Sequence, residues 1–77
     1  MKIDIEHLIN EWDQSWKPPV VPRHKIPEFS GHTISSKTIA NLDSKGEGPP
    51  SFKMGRTRVY PKADLLKWFK NRMSTAG

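Results

Sequence analysis

Gly46-Glu47-Gly48-Pro49-Pro50-Ser51-Phe52-Lys53-Met54-Gly55-Arg56-Thr57-Arg58-Val59-Tyr60 is the stretch on which the reading of this 77-residue chain turns. Two short apolar/basic alternations, Phe52-Lys53-Met54 and Arg58-Val59-Tyr60, flank Gly55-Arg56-Thr57. Alternation is the period of a strand, and a short glycine-containing break between two such runs is hairpin spacing. The expected hairpin pairs residues 51–54 with 58–60 and has a basic tip. Its pleat puts Phe52 and Met54 on one face and Lys53 on the other. Gly46 and Gly48 end the segment before it, and Pro49 and Pro50 keep the chain extended into it.

Helical patterns lie on both sides. Upstream, Ser35 or Ser36 can cap a short helix that ends near Leu42 or Asp43. Ile39 and Leu42, three apart, face the core with Ile34, which leaves Lys37, Thr38 and Asn41 facing outward. Downstream, Pro61 or Lys62 opens a helix running to about Met73, with Leu65, Leu66, Trp68 and Phe69 on its apolar side. Lys67, Lys70 and Arg72 fall late in it, where the helix dipole favours positive charge. Residues 23–29 hold a further short helix made irregular by Pro27, and Ser30-Gly31-His32-Thr33 reads as a turn.

Nearest the N-terminus, Ile5, Leu8, Ile9, Trp12 and Trp16 form one apolar stripe at helical spacing, with Asp4 as N-cap and Lys17-Pro18-Pro19 as terminator. Such a stripe must be covered, either by its own domain or by a second molecule. In the second case Ile5, Leu8, Trp12 and Trp16 form a partner interface. The organisation is an acidic amphipathic helix over 1–17, a Pro-rich linker over 18–22, a folded domain over 23–73 and a disordered tail over 74–77.

Composition narrows the function. A chain of this length holds one small core, and Phe29, Phe52, Tyr60, Trp68 and Phe69 are its expected large members. There is no Cys, and His7, His24 and His32 are too scattered to suggest a metal site; no cofactor is expected. A mean hydropathy of −0.73 and the lack of any long apolar run argue against a membrane span, and the N-terminus lacks a signal-peptide layout, so the expected compartment is the cytoplasm. No spacing of Ser, His and Asp suggests a nucleophile and its base, which argues against an enzyme. Residues 1–16 carry one Lys against four acids, a net of −3. Residues 17–77 carry twelve Lys/Arg against four acids, a net of +8. An acidic head on a basic body is a common layout of nucleic-acid binders.

Helix, turn, helix, basic hairpin and helix, in that order, is the plan of an α+β, mostly helical winged helix-turn-helix, here with an extra N-terminal amphipathic helix. Residues 35–69 resemble phage excisionases and AlpA-type regulators, small members of the MerR-like winged helix-turn-helix group. The elements that carry the resemblance are Ser35, Thr38, Ile39, Gly46-Glu47-Gly48-Pro49-Pro50, Tyr60, Asp64-Leu65 and Trp68. The chain departs from the pattern in the length of Ser30-Gly31-His32-Thr33-Ile34 and in Pro27. The resemblance implies a sequence-specific binder of double-stranded DNA. Such a protein either bends DNA beside an attachment site so that an integrase excises, or regulates transcription of a prophage or integrated element. A single domain of this kind has a small footprint, so tandem or cooperative binding, with self-association on DNA, is expected.

On this reading Ser36, Lys37, Thr38 and Asn41 present the recognition helix to the major groove, where Asn suits adenine and Lys suits guanine or phosphate. Lys53, Arg56, Thr57 and Arg58 form a wing along the phosphates or in the minor groove. A protein-interaction adaptor working through the N-terminal helix is the alternative from another class.

Overall fold

The structure, a computed structural model, describes residues 4–73. Among them are four α-helices and one three-stranded antiparallel sheet: α1 Ile5–Ser15, β1 Val20–Pro22, a 3-10 turn Arg23–Lys25 running into α2 Ile26–Phe29, α3 Ser36–Ser44, β2 Phe52–Met54, β3 Thr57–Pro61 and α4 Lys62–Arg72. The tail expected at 74–77 lies outside the described residues.

Local chemistry sets most boundaries. The Asp4 carboxylate accepts the His7 amide at 3.1 Å and caps α1, which ends just before Lys17-Pro18-Pro19. The Ser35 hydroxyl accepts the Thr38 amide at 3.1 Å and caps α3. At the other end of α3, Gly46 N donates to Asp43 O and Glu47 N to Leu42 O, the two reversed bonds of a Schellman stop. Gly46 takes a φ of 74° there, a conformation costly for any residue with a Cβ. The helix ends at Ser44, slightly beyond the expected position.

The sheet has three strands where two were expected. Its order is β1-β3-β2, with Val21 opposite Tyr60 and Lys53 opposite Arg58. The stretch expected to be a linker therefore ends in a strand. Pro18 and Pro19 extend the chain, and Pro22 is tolerated because β1 lies at the edge of the sheet. Tyr60 is buried on the face that meets the core, and Val59 on the other face between Pro22 and Phe52 in register, while all of β2, at the edge, is exposed.

The core consists of Val21, Ile26, Phe29, Ile39, Tyr60, Leu65, Leu66 and Phe69, with Ile9, Trp12, Trp16, Ile34 and Trp68 packed against it. Two expected core residues are placed differently. Phe52 is 40% exposed because its strand is the outer edge of the sheet. Trp68 is half-buried, and its indole N–H donates to Glu47 O at 3.1 Å.

The part of the α1 stripe formed by Ile9, Trp12 and Trp16 packs on its own domain. Trp12 packs on Phe29 and Phe69 at centroid distances of 5.1 and 5.0 Å, and Trp16 meets Phe29 edge-on at 5.6 Å. Both indoles also donate to backbone oxygens, Trp12 to Phe29 O at 2.6 Å and Trp16 to Val20 O at 3.1 Å. Buried aromatic pairs of this kind add about 0.5–1.5 kcal/mol beyond their area. Lys62 reaches the Asp13 carboxylate at 2.8 Å, and Lys70 pairs with Glu6. Trp12 and Trp16 are thus internal contacts and not a free partner interface; Ile5 is half-buried and Leu8 is 41% exposed.

Gly48 has a separate constraint. A Cβ built there would lie 1.9 Å from Asp43 Oδ1 and 3.2 Å from the Asp43 amide nitrogen. Gly48→Ala must push the Asp43 carboxylate out of place, and overpacking of this sort costs about 1–3 kcal/mol. Thermal unfolding should show Tm lowered by several degrees, whereas Ala in place of the exposed Glu47 should leave it nearly unchanged.

Candidate nucleic-acid interface

Arg23, Asp43 and Tyr60 fix α3 against the sheet. Tyr60 Oη donates to Asp43 Oδ2 at 2.5 Å, Arg23 Nη2 donates to the same oxygen at 2.6 Å, and Arg23 Nε donates to Tyr60 Oη at 3.1 Å. The Tyr60 side chain is fully buried, and the Asp43 side chain is only 14% exposed. The three groups come from the 3-10 turn, the C-terminal turn of α3 and the centre of β3. Burial, then the bond to Asp43, pushes the Tyr60 hydroxyl above its ordinary pKa. The bond to Tyr60, then the one to Asp43, raises the Arg23 guanidinium.

With α3 held in this way, Lys37, Asn41 and Ser44 stand at i, i+4 and i+7 on one exposed face, opposite the buried Ile39. Ser36 lies at the hairpin side of the same helix, where its hydroxyl donates to Arg23 O at 3.2 Å. Thr38 does not join them. Its hydroxyl is paired with Ser35 Oγ at 2.9 Å, and it lines a separate, largely apolar groove with Trp12, Phe29 and Phe69. The helical wheel turns it about 100° past Lys37, away from the hairpin.

The hairpin supplies the facing wall. Lys53 and Arg58 are opposite in register and share the sheet face that also carries Val21 and Tyr60, so they look toward the helices. Arg58 lies half-buried along the sheet; its Nη1 donates to Ser51 Oγ at 3.2 Å and its Nε has no partner. Arg56 and Thr57, at the turn, are exposed. Between the walls lies an open cleft of about 560 Å³ lined by Arg23, His24, Ser36, Lys53, Arg56, Thr57 and Arg58. No carboxylate lines it.

Arg23 and His24 carry no signal of their own in the sequence, because they precede α2 and enter the cleft only through the pairing of β1 with β3. The clue to Arg23 lies in Asp43: an acid in the last turn of a helix opposes the dipole and calls for a cationic partner.

The other cations make a contrast. Lys62 and Lys70 are neutralised across the α1–α4 contact, and Lys25 pairs with Glu28. Among the described residues, Lys37, Lys53, Arg56 and Arg58 have no carboxylate within 4.0 Å, as is also true of Lys17, Lys45, Lys67 and Arg72; of these eight, Lys53, Arg56 and Arg58 are gathered around the cleft. Like charges directly opposite across a strand pair, as Lys53 and Arg58 are, repel unless an anion comes between them. The arrangement is suited to a row of phosphates. Among the described residues no group of His, Asp or Glu could hold a metal ion, and no helix is long and apolar enough to cross a membrane. Comparisons with protein-family models, curated proteins and solved structures found no match to the chain.

The shared hydrogen-bond ring gives stability a definite alkaline dependence. A Tyr60 pKa raised in the folded protein means that its contribution is complete below about pH 10, the unfolded value, and is lost as pH rises through the folded value. Thermal melts between about pH 8 and 11 should show Tm falling at the alkaline end. Tyr60→Phe should be less stable at neutral pH and should have a flatter alkaline limb; parallel profiles for the two proteins would contradict the assignment.

Proposed function

We propose that the chain is a DNA-binding protein of the winged helix-turn-helix class, without enzymatic activity, in which α2 and α3 form the helix-turn-helix and the β2–β3 hairpin is the wing. The observation that carries the reading is the division of charge. Lys62 and Lys70, which meet α1, are paired within the fold, while Lys53, Arg56 and Arg58 of the hairpin have no carboxylate partner and line a cleft that no acid enters. On this reading the exposed face of α3 enters the major groove, where Asn41 is matched to adenine and Lys37 to guanine or phosphate. The cleft seats the phosphates of one strand between α3 and the hairpin.

The resemblance of residues 35–69 narrows the role to that of an excisionase, which bends DNA beside an attachment site to direct an integrase. AlpA-like transcriptional control of an integrated element is the related alternative. A domain of this size covers a short site, so copies binding side by side supply useful affinity. An adaptor role through the N-terminal helix has less support, because Trp12 and Trp16 are occupied within the fold.

The test is binding to duplex DNA over a range of salt, followed by selection from a randomised duplex library. Lys53→Ala/Arg56→Ala removes two exposed cations and should flatten the salt dependence by about two units of slope, at about 0.9 for each phosphate no longer neutralised. Asn41→Ala should relax preference at one base position, by about 1–3 kcal/mol of discrimination, without changing the slope. An unchanged slope in the double variant would remove the hairpin from the interface.

A further inference from the structure

The large apolar side chains exposed among the described residues are Leu8, Phe52 and Met54, and two of these stand on β2. β2 buries none of its residues, so neither Phe52 nor Met54 is held in place by the core. Being two apart, they share the sheet face opposite Lys53 and Arg58. Met54 is the more exposed, at 60%, and pairs with Thr57 immediately before the two-residue turn Gly55-Arg56. The hairpin therefore has a cationic face that lines the cleft and a second face on which Val59 is covered while Phe52 and Met54 are exposed, with Met54 furthest out at its end.

We propose that this outer face enters the minor groove of duplex DNA and that Met54, backed by Phe52, inserts between two base pairs as an apolar wedge. The wedge rests on the DNA-binding reading above and adds how the duplex is deformed. If the cleft seats the phosphates of one strand, the opposite face of the hairpin lies over the adjoining minor groove. That groove is about 6 Å wide. Two strands about 4.8 Å apart, with side chains added, do not fit into it unopened. Inserting Phe, Leu or Met side chains between bases opens the groove and kinks the duplex toward the major groove. An exposed methionine beside the turn residue Arg56 has the required parts: a flexible apolar probe and an exposed cation for a flanking phosphate. The absence of any carboxylate from the cleft favours a polyanion over a protein partner at this end of the molecule.

Duplexes bound by the wild-type protein provide the test, with bend angle measured through end-to-end energy transfer and base unstacking through permanganate reactivity of thymines. Wild type should bend the duplex and make one thymine-containing step hyper-reactive. Met54→Ala should lose most of the bend and the hyper-reactivity, with affinity falling by less than about tenfold, since the cost of unstacking is no longer incurred. Met54→Leu should restore both signals. Wild-type bending and reactivity in both Met54→Ala and Phe52→Ala would overturn the wedge while leaving DNA binding intact. Failure of the wild-type protein to bind any duplex would overturn both readings. Concentration-dependent dimers in DNA-free solution that Met54→Ala abolishes would assign the face to a second copy and likewise overturn the wedge.

Discussion

Asp43 Oδ2 accepts hydrogen bonds from two donors on two other elements, and the position of α3 depends on that oxygen. Ile39 is the only fully buried residue of α3, and a single apolar anchor leaves a helix free to roll. The Arg23–Asp43–Tyr60 ring removes that freedom by joining α3 to the sheet at the helix end furthest from its Ser35 cap. Removing Asp43 leaves the buried Tyr60 hydroxyl without its acceptor, and removing Tyr60 or Arg23 takes a donor from the largely shielded Asp43; an unsatisfied buried polar group costs about 1–3 kcal/mol. Gly48 belongs to the same arrangement, because the space a side chain would need there is taken by the Asp43 carboxylate.

A second constraint comes from the opposite side of the molecule. Two acids of the N-terminal helix are internal counter-charge. Asp13 and Glu6 meet Lys62 and Lys70 while Trp12 and Trp16 close over Phe29. The helix thereby enlarges a core too small to stand easily alone, and it pairs Lys62 and Lys70 at the α1–α4 contact.

What was legible in the sequence was whatever a single residue dictates locally. Asp4 and Ser35 cap because their side chains reach an amide three residues on, and Gly46 stops a helix because of its backbone freedom. The hairpin followed from alternation, and the start of α4 from Pro61. What escaped depended on partners distant in sequence. A three-residue strand such as Val20–Pro22, bracketed by prolines, shows no period of its own and becomes a strand only by meeting β3. Phe52 carries a core residue's chemistry on an edge strand that the core does not cover, and Thr38 differs from its exposed neighbours only in the face toward which the helix turns it. In the candidate site, Lys37, Asn41, Lys53, Arg56 and Arg58 follow from type and spacing, whereas Arg23 and His24 do not.

The connection from α3 to β2 is stiff. It leaves the helix through two fixed reversed hydrogen bonds, passes Gly48 pressed against Asp43, and continues through a buried Pro49 and then Pro50. Few rotatable bonds along it remain unsettled. Helix and hairpin therefore already hold their mutual angle before any ligand arrives, and binding has little loop entropy to lose. The converse is a lack of compliance: a ligand that spanned both elements and did not match the distance between α3 and the hairpin would itself have to change shape, because the protein has little slack with which to follow it.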